Sequence, residues 1–190
     1  MPKLSVVIPY YELDKGKREV LERTVKSLGG YDELILVWNQ RMGFLPALNV
    51  GYSLAKGDFI AMVCDDVILK TGTLYDLCDA SAVTSAQIEG MPEGQDFWGT
   101  LWVTPRWVWE KTGPFDEEYA KGSYFDDDDY YMTLRHNNIR TYVNPTVRVE
   151  HPEGGRTLDR EDDKRDKTER NREYFVKKWG HMPIREQNRP

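Results

Sequence analysis

Lys56-Gly57-Asp58-Phe59-Ile60-Ala61-Met62-Val63-Cys64-Asp65-Asp66-Val67 is the stretch on which the fold turns. Gly57-Asp58 is turn chemistry, and Phe59 to Cys64 is a continuous apolar run too short for a helix of its own. A strand apolar on both faces belongs in the middle of a parallel sheet with helices on either side. Ligands of open α/β sheets settle just past the carboxyl ends of the strands. Asp65 and Asp66 stand at that end, and paired carboxylates there suit a hard divalent cation. The pair by itself equally fits a solvated turn after a strand, where Asp is common.

Upstream, Leu4-Ser5-Val6-Val7-Ile8 reads as a buried strand stopped by Pro9 and opening into Tyr10-Tyr11-Glu12. A helix follows from about Lys17 to Leu28, with Val20, Leu21, Val25 and Leu28 on one face and Gly29-Gly30 as its stop. Leu34 to Val37 reads as a second buried strand leading into Trp38-Asn39-Gln40, and a helix from about Leu45 to Ala55 returns the chain to the Gly57 turn. This β-α-β-α-β order with short connections predicts a parallel sheet with right-handed crossovers. The three strand ends, near Tyr10, Trp38 and Asp65, then line one edge, where a nucleotide is the expected guest. There is no G-x-G-x-x-G after the first strand and no G-x-x-x-x-G-K-[ST] anywhere, which disfavours a dinucleotide site or P-loop. A diphosphate would need positive charge from elsewhere, and a metal on Asp66 would supply it.

Downstream, Leu69 to about Val83 reads as a helix, followed by a Gly/Pro/Glu-rich linker, Glu89 to Gln95. Phe97 to Val103 reads as a strand, Pro105 to Lys111 as a short helix, and Gly113 to Glu118 as a loop. The acidic run Asp126-Asp127-Asp128-Asp129 leads into a helix from about Asp129 to Asn138. Carboxylates at a helix start are favoured by the macrodipole and by free amides. Capping uses one or two acids, however, and four in a row repel unless something positive is near. Thr141 to Val143 and Val147 to Val149 are short strands, with His151 directly after the second. The charge-dense stretch 153–173 is a solvated segment or one that closes over donor phosphates, with Arg156 as its best phosphate contact. A last helix, Lys167 to Trp179, has Tyr174, Phe175 and Trp179 as its apolar side.

The totals bound the function. At 190 residues, 39% hydrophobic and 31% charged, the chain makes one well-cored globular domain. A net charge of −6 argues against general nucleic-acid binding. No run of about 18 apolar residues exists, so no integral membrane segment is expected. Cys64 and Cys78 are the only cysteines, which fits a reducing, cytoplasmic setting without disulfides. The aromatic residues, six Trp among them, suit both sugar faces and an aromatic core. Trp98, Trp102, Trp107 and Trp109 read as core first, His136 and His181 as surface.

The segments LSVVIPYY, LILVWNQ, GFLPALNVGYSLAKGDFIAMVCDDV, GPFDEEY, YFDDDDYYMTLRHNNIRTYVNP and VRVEH, in this order and spacing, resemble the family-two, GT-A fold nucleotide-sugar glycosyltransferases from about Leu4 to Gly180. The resemblance implies a single α/β domain with a mixed, mostly parallel sheet flanked by helices, over residues 1–180. Residues 1–68 would be the nucleotide-binding half and 69–152 the acceptor and catalytic half. A charged loop and C-terminal helix would follow at 153–180, and a tail at 181–190. The donor-binding set it implies is Pro9, Tyr10, Tyr11, Trp38, Asn39, Gly43, Asn49, Cys64 and Asp65. In that set Asp65 holds the ribose, and Gly43 and Asn49, together with Ala47 and Gly51, match the family's helix beside the nucleotide. Asp66 matches the ligand for Mn²⁺ or Mg²⁺ on the diphosphate, and His151 a position that is a further metal ligand in some members. Counting back from Asn138-Ile139-Arg140 puts Asp126-Asp127 on the family's Glu-Asp pair. Asp127 is then the general base, with Asp128 one register step away. Trp38 departs from the pattern, because many members carry there an Asp that reads uracil.

The activity so implied is metal-dependent, inverting transfer of a sugar from a nucleoside-diphosphate sugar to the hydroxyl of a glycan, protein or other acceptor. Its transition state is oxocarbenium-like, as in glycoside hydrolysis. Two other classes remain open at this stage. One is a nucleotide-sugar-binding module without turnover. The other, a calcium-binding structural domain on the four-Asp run, lacks the spaced ligands and Gly of a calcium loop.

Overall fold

The computed structural model describes residues 2–11, 15–39, 42–121, 124–152 and 164–183. Strand β1 (Leu4–Tyr10), helix α1 (Lys15–Ser27), strand β2 (Glu33–Trp38), helix α2 (Phe44–Leu54) and strand β3 (Phe59–Val63) follow the expected alternation. The strands pair in parallel, with Val7 opposite both Ile35 and Met62, so Tyr10, Trp38 and Val63 end on one edge. Both β1 and β3 are buried along their whole length. The sequence reading of β2 as equally buried is corrected: it is the sheet's outer strand, and Leu36 and Trp38 are 49% and 50% exposed. Packing of α2 onto β1 depends on Gly51, where any side chain would run into Val7.

The expected helix from Leu69 to Val83 does not form. The segment is instead strand β4 (Ile68–Thr71), a single 3-10 turn at Leu74–Leu77 and strand β5 (Ala82–Ile88). Gly72, at a φ of 74°, breaks the chain direction, and a reciprocal cap between Thr73 and Asp76 starts only one short turn. Leu74 and Leu77 are buried under the sheet, so their helical spacing marks that turn and nothing longer. Strand β6 (Leu101–Pro105) is shorter than expected, and the preceding Phe97 is inserted into the core instead. Helix α3 (Arg106–Thr112) follows, and Arg106 satisfies the Gly57 and Ala55 carbonyls. Helix α4 (Asp126–His136) takes the whole acidic run into its first turn. The two expected late strands are one, β7 (Arg140–Glu150), with a register shift where Ala86 faces Asn144 and Gln87 faces Arg148. Helix α5 (Lys164–Trp179) closes the fold.

The sheet order is β2-β1-β3-β6-β5-β7-β4. Strands β2, β1, β3, β5 and β7 run one way and β6 and β4 the other, so the sheet is mixed and mostly parallel. Alternate residues feed two apolar layers: Val7, Ile60 and Met62 join α2, α4 and α5 on one face, while Val6, Ile8, Ala61 and Val63 meet α1 and the 3-10 turn on the other. Full burial of each large side chain contributes about 1.5–3 kcal/mol. No described helix is long and apolar enough to cross a membrane.

Candidate active site

Five strands pointing the same way put their carboxyl ends on one edge, which is what brings distant residues together. The turn after β3 carries Cys64, Asp65 and Asp66, and His151 follows the end of β7. His151 Nε2 lies 2.9 Å from Asp66 Oδ1, and the Cys64 sulfur completes a trio of ligand atoms within 4.8 Å of one another. Asp66 is 5% exposed, and its buried Oδ1 has His151 beside it at 2.9 Å. Bonds of about 2.0–2.3 Å from one ion to O, N and S hold ligand atoms roughly 3–4.4 Å apart. The trio therefore fits a divalent ion after shifts of a few tenths of an ångström. Burial pushes the Asp66 carboxyl up, but attraction to His151 and Lys17 outweighs it and holds the group below its ordinary range. The Cys64 thiol is pushed well above its own range by burial, with Asp66, Asp65 and Asp126 adding to the effect.

Asp65 is already engaged. Lys17 Nζ sits 2.9 Å from its Oδ1, and the Tyr11 amide donates to Oδ2 at 3.2 Å. Burial nevertheless raises the Asp65 carboxyl, against the pull of Lys17. Lys17 is itself buried, and a lysine is almost never buried unless paired. In the sequence it is only the start of a helix, and nothing there announces that its ammonium reaches β3. On the outer side, the Tyr10 and Trp38 rings meet edge to face at 5.4 Å, with Trp38 half open to solvent. Pro9 lies opposite Val37 in the same ladder. Asn39 is buried with no partner for its Oδ1 among the described residues, while its backbone bonds to Tyr10 and Gly43 hold the turn into α2. Asn49 spends its amide elsewhere: it donates to the Phe115 carbonyl and Glu117 and accepts from the Phe115 amide, pinning the 113–119 loop. Glu12, Gln40 and Arg156, with the rest of 153–163, lie outside the described residues.

The acidic run reaches the same edge through Gly99. A Cβ there would lie 2.5 Å from Asp127 Cβ and 2.6 Å from its Oδ2, so the carboxylate packs directly on backbone. The Gly99 carbonyl in turn accepts from the Cys64 thiol at 3.9 Å, linking the helix start to the trio of Cys64, Asp66 and His151. Asp127 Oδ1 accepts from the Asp128 amide at 3.0 Å. The residue before the helix is Phe125, which offers no capping oxygen, so the four acids are not a conventional N-cap. Asp126, next in line, is pushed up to about 7 by burial and by the charge of Asp127.

Asp129 turns away into the protein. It takes Tyr119 at 3.1 Å, Trp179 at 2.7 Å and Lys178 at 2.9 Å, and Lys178 also holds Asp116 at 2.8 Å. Here is the positive charge that the acidic run needed, delivered by α5 from 49 residues downstream. The same helix holds the strained approach to α4. Tyr124 and Phe125 have left-handed φ values of 60° and 68°, and Asn171 donates to the Tyr119 and Tyr124 carbonyls at 2.9 Å. A cavity of about 240 Å³ opens beside this clasp, lined by Phe115, Asp116, Asp126, Asp129, Tyr130 and Lys178 among others. Sequence reasoning missed Lys17, Gly99, Asn171 and Lys178, all of which act across long separations.

No protein-family profile and no curated protein sequence matches the chain. Among solved structures, it is similar to the catalytic domain of Drosophila beta1,4-galactosyltransferase 7 in complex with xylobiose. The TM-score there is 0.67 at 16% identity, over 89% of this chain and 80% of the other. A variant of that enzyme with manganese, UDP-Gal and xylobiose aligns at 0.64 and 15%, over 85% and 75%. TarS of S. aureus aligns at 0.58 and 14%, over 95% of this chain and 44% of its own. At these identities the likeness establishes the GT-A fold, as the sequence resemblance implied.

Proposed function

We propose that this chain is a metal-dependent glycosyltransferase that moves a sugar from a nucleoside-diphosphate donor to an acceptor hydroxyl with inversion. The observation that carries the proposal is Asp66, a buried carboxylate paired with His151 at 2.9 Å, with the acidic start of α4 brought alongside by Gly99. The neighbour crystallised with manganese and UDP-Gal supports the same reading. Residues 1–68 form the donor half and 69–152 the acceptor half. Pro9, Tyr10, Tyr11, Trp38 and Asn39 receive the nucleoside and Asp65 the ribose. Asp66 and His151 would hold Mn²⁺ or Mg²⁺, which when bound supplies Lewis-acid neutralisation of the leaving diphosphate.

The chemistry asked of the chain is then one displacement. The acceptor oxygen gives its proton to Asp127 and bonds to the anomeric carbon, while the bond from that carbon to the phosphate oxygen breaks on the opposite face. The nucleoside diphosphate leaves with the electron pair, and the anomeric centre is inverted. Asp127 suits the base because its carboxylate is fixed on the Gly99 backbone and projects from the first turn of a helix that α5 braces. Asp128, about 100° further round the helix, is the alternative.

The test is a donor screen with Mn²⁺ by thermal shift, followed by donor hydrolysis and, with an acceptor, initial rates. Asp127→Asn should cut turnover by roughly a hundredfold or more, the scale of general-base loss, with donor affinity kept. Loss on Asp128→Asn alone moves the base by one residue. Metal-dependent donor binding with no hydrolysis or transfer in the wild type would instead support the binding module.

A further inference from the structure

Cys64 has no role in the reaction as proposed, yet its sulfur belongs to the trio with Asp66 and His151. We propose that Cys64 is a third protein ligand, so that this edge is a mixed sulfur, nitrogen and oxygen site that favours thiophilic divalent ions such as Zn²⁺ and Co²⁺ far more than an oxygen–nitrogen site would. The inference rests on the reading of Asp66 and His151 as metal ligands.

Three observations converge. The three ligand atoms lie within 4.8 Å of one another, close to the spread that one ion imposes. Asp66 Oδ1 is buried and already lies 2.9 Å from His151 Nε2, so two of the three ligand atoms are in place beside each other. Among the described residues the Cys64 thiol holds only the long bond to the Gly99 carbonyl at 3.9 Å, so turning the sulfur toward an ion gives up little. On ligation the thiol proton leaves to solvent and a metal–thiolate bond forms. Thiolate is a soft ligand, whereas Mg²⁺ is a hard ion that prefers oxygen and dehydrates reluctantly. The sulfur should therefore add strongly to Zn²⁺ and Co²⁺ affinity and little to that of Mg²⁺. Carboxylate in place of sulfur would reverse the bias.

The experiment is metal titration of the full chain, metal-free at the start, with Co²⁺, Zn²⁺, Mn²⁺ and Mg²⁺ added alone. Wild type should show a sulfur-to-cobalt charge-transfer band in the near ultraviolet. The band should vanish in Cys64→Ser and persist in Cys78→Ser, the control for the other thiol. Because Zn²⁺ outranks Mn²⁺ at most sites, the diagnostic is the change in that preference and not the preference itself. Cys64→Ser should weaken Zn²⁺ at least ten- to hundredfold, the cost of losing even an outer-shell partner, and leave Mg²⁺ nearly unchanged. Cys64→Asp should shift selectivity toward Mn²⁺ and Mg²⁺. Should either variant fail to fold, protection of wild-type Cys64 from alkylation by Zn²⁺, mapped by mass spectrometry, carries the test. Metal and donor binding without a band or protection overturns the role of Cys64 alone. Absence of any metal binding, or binding that survives Asp66→Asn, overturns the metal reading beneath it.

Discussion

Asp129→Asn separates the structural acid of the run from its neighbours. The carboxylate is 6% exposed and holds three groups: Trp179 Nε1 at 2.7 Å, Tyr119 Oη at 3.1 Å and Lys178 Nζ at 2.9 Å. Asparagine keeps one oxygen, enough for Trp179 and Tyr119, which both bond Oδ1. It loses the charge and turns a donor toward Lys178. A hydrogen bond to a charged group contributes about 1.5–3 kcal/mol. Lys178 is 30% exposed and keeps Asp116, which places the loss in the lower half of that range, about 2 kcal/mol. For a chain of this length that corresponds to a melting-point drop of about 4–8 °C. Asp129→Ala should cost more, because the Trp179 and Tyr119 donors are then stranded at about 1–3 kcal/mol each. The assay is urea and thermal unfolding of single Asn variants at positions 126 to 129 in metal-free protein at neutral pH. Asp127→Asn and Asp128→Asn should melt close to wild type. If Asp129→Asn does the same, the clasp between α4 and α5 is not what holds this end of the fold.

Three further outcomes are expected. Trp38→Ala should weaken nucleotide binding roughly five- to hundredfold, the scale of one base–aromatic stack, and abolish binding-induced quenching of tryptophan fluorescence; unchanged affinity removes Trp38 from the nucleoside site. The Asp126 carboxyl, pushed up to about 7 by burial from an ordinary value of 3.8, binds its proton more tightly folded than unfolded. Its contribution to stability is full below about pH 4 and lost as pH rises through about 7, so Asp126→Asn should match wild type near pH 4 and exceed it near pH 8. Urea unfolding across that window measures it, and a pH-independent difference contradicts it. Lys17→Met leaves buried Asp65 unpaired and should cost about 3–5 kcal/mol, much of it recovered by adding Asp65→Asn; a double-mutant cycle with coupling near zero refutes the pair.

Much of residues 1–68 was legible because the signals there are local. An apolar run between turn residues at Phe59 to Val63, and helical periodicity from Val20 to Leu28, state their elements within a dozen residues. Parallel order then follows from short crossovers. The second half resisted for a physical reason. Leu74 and Leu77 satisfy helical spacing, yet β4 and β5 gain hydrogen bonds from β7, about 60 to 80 residues further on. Propensity yields to such pairing, and only Gly72 hinted at the break.

By itself the sequence determined which chemistry could be present: two acids at a strand's end, a histidine after another strand, and an acidic run at a helix start. Tertiary structure alone decided which of these meet. Parallel strands carry Asp66 and His151 to within 2.9 Å, and the missing side chain of Gly99 admits Asp127 against backbone. Buried Lys17 and the more open Lys178, on helices at opposite ends of the chain, then decide which of the acids are paired. Spacing along a chain cannot express these meetings, because charge, burial and ligand geometry depend on distance in space.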